Sequence, residues 1–417
     1  MLAAAVLAAA LAAGPGSLER VTFQEAVDRA LAHGTTSLLA AEDVRRAEGL
    51  LGQARSGSLP FLGVTGALTR LDGDRVSSAT GQVLADMHQQ GAAATLSMPL
   101  LAPGRWAQWA HAGQALDVAR GGEAEVRRSA ALGAARAHLT VVALRRAVEV
   151  SESARQVAKA HFDFASQRRK GGVGNALDEL RAQQELASSE VQVEAAQVSL
   201  LRAREALGVL TGSGGPLDAE ELPPPTPVED PAEAEQAAGS LRADVQAARA
   251  RADLARRVWK DGWTDWLPVV SGTFSGFVQH PPTSTTPADG WVAQLVLSFP
   301  IFEGGLRPAQ AREREAASRQ AELQVEQVLR QARSEVRVGF EALQRSLAAH
   351  AAARRGAESA RAALDLAGRA YQAGAVTNLE VIDAERRARD AALAAVIAED
   401  AVRQNRLDLL GAAGRFP

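Results

Sequence analysis

Four stretches of the chain read as strands. In the first, Leu62, Val64 and Leu68 alternate with Gly63, Thr65 and Thr69. In the third, Val270, Phe274 and Val278 alternate with Ser271, Thr273 and Ser275. In the fourth, Trp291, Ala293, Leu295, Leu297 and Phe299 alternate with Val292, Gln294 and Ser298. A period of two sends successive side chains to opposite faces of a sheet. Each run is about 10 residues, the length a tilted strand needs to cross a bilayer, and apolar-out, polar-in alternation marks membrane barrels. A half-buried soluble sheet carries the same pattern.

Elsewhere the period is helical. Val325, Leu329, Ala332, Val336, Phe340, Leu343 and Leu347 recur at spacings of three and four. Their mean spacing, about 11/3 residues, departs from the 3.5 of a left-handed supercoil and favours nearly straight helices packed side by side. No proline interrupts Arg105 to Gly215 or Ala309 to Phe416. A single helix over residues 105–170 would be on the order of 100 Å long at 1.5 Å per residue, too long to hide inside one domain. The charged remainder, such as Arg312, Glu313, Arg314 and Glu315, reads as a solvated face.

The whole pattern occurs twice. Each half opens with a helical segment, Phe23 to Ser56 and then Arg242 to Gly262. Next come a leucine-proline step (Leu59-Pro60, Leu267-Pro268), two strands and a second proline step ("SMPLLAPGR", "SFPIFEGGL"). A long helix, a glycine turn and another helix follow, and the halves end in "LGVLTG" and "LLGAAG". The expected layout is a first repeat over 17–212, with its β-hairpin at about 58–99 and its helical turn near 171–175. A proline-rich linker over 213–232 should be a loop. The second repeat covers 233–417, with its hairpin at about 267–300 and its turn near 374–377.

Composition narrows the function. A net charge of −3 over 417 residues gives no reason to expect a nucleic-acid partner. The absence of cysteine excludes disulfides, thiolate metal sites and a cysteine nucleophile. The seven histidines are scattered, so no metal site is expected, and neither a nucleophile elbow nor a phosphate loop is present. No cofactor and no enzymatic activity are expected. Residues 1–16, "MLAAAVLAAALAAGPG", resemble the apolar core and cleavage region of a secretory signal, although no Lys or Arg precedes the run.

Four strands cannot close a barrel, since single-chain membrane barrels begin at about eight. The open edges would leave backbone groups unpaired in lipid at several kcal/mol each. The chain must therefore share a barrel with copies of itself, and a dimer or a trimer would serve.

The duplicated plan, the leucine-proline entry, the "PIFEGG" exit and the tip "YQAGAVTNLEVIDA" together resemble TolC-type outer-membrane factors, over essentially all of the chain after the signal. The resemblance implies a fold of mixed α and membrane β. Four strands per protomer would enter a shared 12-stranded trimeric barrel, and the long helices would form a periplasmic α-helical barrel. It implies a homotrimeric export duct in the outer membrane, reaching into the periplasm and working with a periplasmic adaptor and an inner-membrane transporter. Small molecules, metals or proteins would pass outward. A periplasmic coiled-coil scaffold that never enters lipid is the competing reading.

The tips carry the candidate site. Gly374 suits a reversal that needs positive φ. Glu380 and Asp383, three residues apart, share a helix face, and threefold symmetry would make six carboxylates at a pore constriction. An acidic first turn favoured by the helix dipole is the plain alternative. In the first repeat Asp178 aligns with Glu380, but Arg181 replaces Asp383. Arg181 can pair with Asp178 or reach the acidic pair of the other hairpin. By resemblance, Tyr371 takes part in polar links that hold the entrance shut. Val376 stands where a family member carries an arginine. The resemblance also implies that the turns Gly172, Val173, Gly174, Asn175 and Gly374, Ala375, Val376, Thr377 dock an adaptor; two turns with no partner are the plain alternative. Trp259, Trp263 and Trp266 can anchor the interface near the inner leaflet or fill the helix–strand junction.

Overall fold

Long stretches of Ala, Arg, Glu and Leu without proline make helices that only the glycine turns end. The computed structural model describes residues 18–221, 231–282 and 286–416, so the expected signal at 1–16 lies outside the described residues. The first repeat runs β1 (Arg20–Val21), α1 (Phe23–His33), α2 (Thr35–Ser56), β2 (Phe61–Arg70), β3 (Arg75–Val76), β4 (Val83–Ala85), β5 (His88–Leu101), α3 (Pro103–Lys170) and α4 (Ala176–Thr211). After β6 (Asp218–Ala219) the second repeat runs α5 (Pro231–Leu241), α6 (Ala243–Lys260), a 3₁₀ turn (Asp261–Trp266), β7 (Val269–His280), β8 (Asp289–Ser298), α7 (Leu306–Gln372) and α8 (Asn378–Ala412). Helices α3 and α7 are 68 and 67 residues long.

Two units emerge from the contacts. One comprises residues 42–121 and 247–326 and holds an antiparallel sheet in the order β2-β5-β7-β8. Leu62 faces Leu96, Leu96 faces Phe274 and Phe274 faces Ala293, so the apolar positions of all four strands share one face. On the other face Thr95 and Ser275 meet hydroxyl to hydroxyl at 3.0 Å. The apolar face is bare: Leu62 is 69 % exposed, Leu68 86 %, Trp291 69 % and Leu295 71 %. Below the strands, His111 Nε2 lies 2.8 Å from Asp261, and the Arg307 guanidinium stacks 5.0 Å over Trp266. The other two tryptophans of that cluster, Trp259 and Trp263, are exposed.

The second unit comprises the described parts of 1–41, 122–246 and 327–417. Its core is three clusters of small and branched side chains. In one, Val336, Leu343 and Ala332 of α7 pack with Val402 and Leu409 of α8 and Val245 of α6. In the second, Val21 and Ala219 pack with Val141, Val142 and Leu207. The third gathers Val27, Ala131, Leu139 and Leu407. Thr22 caps α1 by accepting the Glu25 N–H at 3.2 Å.

Two expectations are corrected. The segment Phe23 to Ser56 is two helices, because the chain breaks at Gly34. A Cβ there would lie 2.3 Å from the Ala30 carbonyl oxygen and 2.9 Å from that of Leu210. The linker is not all loop. Leu217 and Asp218 are buried, β6 pairs in parallel with β1, and α5 has begun by residue 231. Asp218 is held by Arg204 at 3.2 Å and Arg145 at 3.6 Å, partners that no local pattern announces.

Candidate functional site at the helical turns

Both helical hairpins reverse by the same backbone device. Gly172 and Gly374 each take φ +78°. In the first turn the Val173 N–H donates to the Arg168 carbonyl and Gly172 N–H to Arg169. In the second, Ala375 N–H donates to Ala370 and Gly374 N–H to Tyr371. This is the Schellman closure, which satisfies the last carbonyls of a helix and needs a left-handed residue after it. The next helices start differently. The Asn175 side chain accepts the Leu177 N–H at 3.1 Å, whereas Thr377 makes no side-chain cap.

Asn378, the first residue of α8, is buried, and its amide nitrogen donates to the Asp178 carbonyl at 3.0 Å. This bond ties one hairpin to the other beside both turns. Asn378 is hardly marked in the sequence. Its only signal was a polar residue directly after a threonine in cap position.

Tyr371 is buried, and its surroundings are largely aromatic. The rings of His161 and Phe164 meet it edge-on at 5.5 and 5.8 Å, and the Arg168 guanidinium lies 5.3 Å over it. Burial pushes its phenol above the ordinary range, and the Asp178 charge adds to that while Arg168 opposes it. His161 Nδ1 approaches Glu385 Oε1 at 2.8 Å, both side chains being almost fully enclosed. One turn away, Glu185 is buried against Arg386 at 2.7 Å and Arg389 at 3.3 Å. His161, Glu185 and Glu385 were not foreseen, because their partners come from other helices.

Glu380 and Asp383 are exposed on the first turns of α8. Asp383 pairs with Arg387 at 2.9 Å. Asp178 and Arg181 are half-buried on α4, and among the described residues no ion pair joins them. Glu179 instead pairs with Arg169, whose guanidinium holds the carboxyl below its usual range. In the two turns Gly172, Val173, Asn175, Gly374, Ala375 and Thr377 are exposed, and Gly174 and Val376 half-exposed. The Gly174 backbone runs so close to its own helix that a Cβ would lie 2.6 Å from the Arg169 nitrogen.

This geometry offers exposed carboxylates and small, bare turns, with no nucleophile–base pair among them. The family model described as outer membrane efflux protein matches residues 26–213 and 235–415, one match for each repeat. The chain belongs to the outer membrane efflux protein family. Members are non-enzymatic transport proteins, and this efflux protein is therefore an outer-membrane protein reaching into the periplasm. That placement sets aside the scaffold that never enters lipid.

Solved structures share the fold of the efflux protein. A membrane protein from Pseudomonas aeruginosa superposes with a TM-score of 0.81 at 21 % identity, covering 95 % of this chain and 91 % of that one. The outer membrane protein VceC from Vibrio cholerae gives 0.77 at 22 % identity, covering 94 % and 96 %. The Campylobacter jejuni CmeC outer membrane channel gives 0.80 at 17 % identity, covering 94 % and 86 %. Comparison with curated protein sequences gives no match.

Proposed function

We propose that the protein is the trimeric outer-membrane channel of a tripartite export system. Three copies of the four-stranded sheet would make a twelve-stranded barrel, and the long helices would wall a passive duct across the periplasm. Residues 1–16 would direct export of the chain. An inner-membrane transporter would deliver the cargo through a periplasmic adaptor that docks on the turns around Gly172 and Gly374. Glu380 and Asp383, with Asp178, Arg181 and Tyr371 behind them, would form the constriction.

The observation that carries this reading is the open sheet. Strands β2 and β8 have no neighbour on their outer sides among the described residues, while the apolar face beside them is bare. In lipid such edges cost several kcal/mol for each unpaired backbone group, so identical copies must supply the missing pairings. A tunnel wall of Ala, Gln, Arg and Glu would leave choice of cargo to the transporter. The test is the state of the detergent-extracted protein. The expected result is a trimer that stays with outer membranes through a high-salt wash. A folded single copy, stable without detergent, would overturn the reading.

A further inference from the structure

The two β-hairpins are copies in register as well as in sequence. In the first, Phe61 faces Ser97, Leu62 faces Leu96 and Arg70 faces His88. In the second, Val269 faces Ser298, Val270 faces Leu297 and Val278 faces Asp289. Laying Leu59-Pro60 on Leu267-Pro268, and Ser97-Met98-Pro99 on Ser298-Phe299-Pro300, carries every one of these pairs onto its counterpart without a slip.

The seam between the hairpins, β5 on β7, is then a template for the seam that the open edges lack. In it Ser97 faces Thr273, Thr95 faces Ser275, Met98 faces Gly272 and Ala94 faces Gly276. Past an irregularity after Pro99, Leu101 faces Val270. We infer that β8 of one copy pairs with β2 of the next in this same register. That sets Ser298 opposite Thr65, Val296 opposite Ala67, Leu295 opposite Leu68, Phe299 opposite Val64 and Phe302 opposite Leu62. The inference rests on the shared barrel proposed above and adds its register and its extent.

Two observations on the isolated chain support it. The first is facing. Leu295 and Leu68, and Phe299 and Val64, are exposed apolar residues that this register sets side by side on the lipid face. A slip of one residue would turn one strand's apolar set toward the lumen. The second is the end of β8. The equivalents of Ile301 and Phe302 are Leu100 and Leu101, which lie inside β5 and are 49 % and 38 % exposed. Strand β8 stops at Ser298, and Ile301 and Phe302 are 89 % and 87 % exposed. The two segments differ in having a partner strand. Paired with the next copy, β8 lengthens through Phe302 and covers the two most exposed large apolar side chains of the sheet unit.

The chain has no cysteine, so introduced pairs are its only thiols. Facing residues on antiparallel strands lie about 4.5–5.5 Å apart at Cα, within the roughly 4.4–6.8 Å that a disulfide spans. Ser298→Cys combined with Thr65→Cys, oxidised in outer membranes, should give a covalent trimer on denaturing gels that reductant dissolves. Phe302→Cys with Leu62→Cys should do the same. Ser298→Cys with Gly63→Cys or with Ala67→Cys, slipped by two residues on the same face, should link far less. The single-cysteine variants control for insertion. Stronger linking by a slipped pair overturns the register and leaves the trimer standing. Linking at 298–65 without linking at 302–62 overturns the extension of β8. No linking by any pair in inserted protein removes the shared barrel itself.

Discussion

At the scale of single residues, the turns were legible because their chemistry is local. A helix that must reverse needs one residue at positive φ. Gly172 and Gly374 stand there at +78°, and a Cβ at either position would meet nothing within 4 Å. Strain alone should therefore set the cost of Gly374→Ala, about 1–2 kcal/mol for a left-handed alanine. The check is faster hydrogen exchange of the amides around residue 375. Gly368→Ala, inside α7 and equally open, should instead stabilise by about 0.5–1 kcal/mol. His138 was not legible, since its environment comes from distant segments. It is 1 % exposed, meets Phe23 edge-on at 5.7 Å and places Nε2 3.1 Å from the Val21 carbonyl. Burial lowers its pKa, and the bond to Val21 and the charge of Asp218 offset this only in part. The unfolded chain then binds a proton that the folded one refuses. Stability from this site is present above the ordinary histidine pKa of about 6.5 and is lost as pH falls through the lower folded value. Thermal unfolding between pH 7 and 5 should show a drop that His138→Asn makes shallower.

At the scale of elements, periodicity revealed which segments are strands and helices, and packing decided where they end. Alternation located β2, β7 and β8, whereas β5 runs on to Leu101 because β7 continues beside it. The stop at Gly34 depends on the approach of Leu210 from α4, which no window around residue 34 contains. The ties between hairpins have the same origin. Glu185 of α4, 3 % exposed, is neutralised by Arg386 and Arg389 of α8, and the Arg389 side chain is itself 11 % exposed. Removing one member of a buried pair strands the other charge, at about 3–5 kcal/mol. Arg389 keeps Asp390 at 3.0 Å and Arg386 is 49 % exposed, so Glu185→Ala should loosen α4 from α8 by at most about that amount, read as a fall in unfolding temperature. Pairing it with Arg389→Leu should recover part of the loss, because the stranded charge goes too. Equal destabilisation in the single and double variants would show that packing, not charge, holds the two helices.

At the scale of the whole molecule, the acidic residues of α8 acquire meaning only through repetition. On one copy Glu380 and Asp383 are two solvated carboxylates. In the proposed trimer they become six around a common axis, where low-dielectric walls strengthen their field on passing ions. The sequence alone treated the two positions as equals, and the side-chain contacts separate them. Asp383 has a cationic neighbour, Arg387, at 2.9 Å, while Glu380 has no ion pair of that kind among the described residues. Both groups are exposed, so the pairing is a surface effect that salt weakens. The order of effects follows. Glu380→Ala should lower cation selectivity in planar bilayers more than Asp383→Ala, and the double variant should weaken block by multivalent cations further. Arg387→Ala, which frees Asp383, should move selectivity the other way. All of these differences should shrink in about 1 M salt, where the screening length falls to about 3 Å. Reversal potentials that stay unchanged in all four variants at low salt would remove these carboxylates from the ion path, and with them the constriction proposed at the turns.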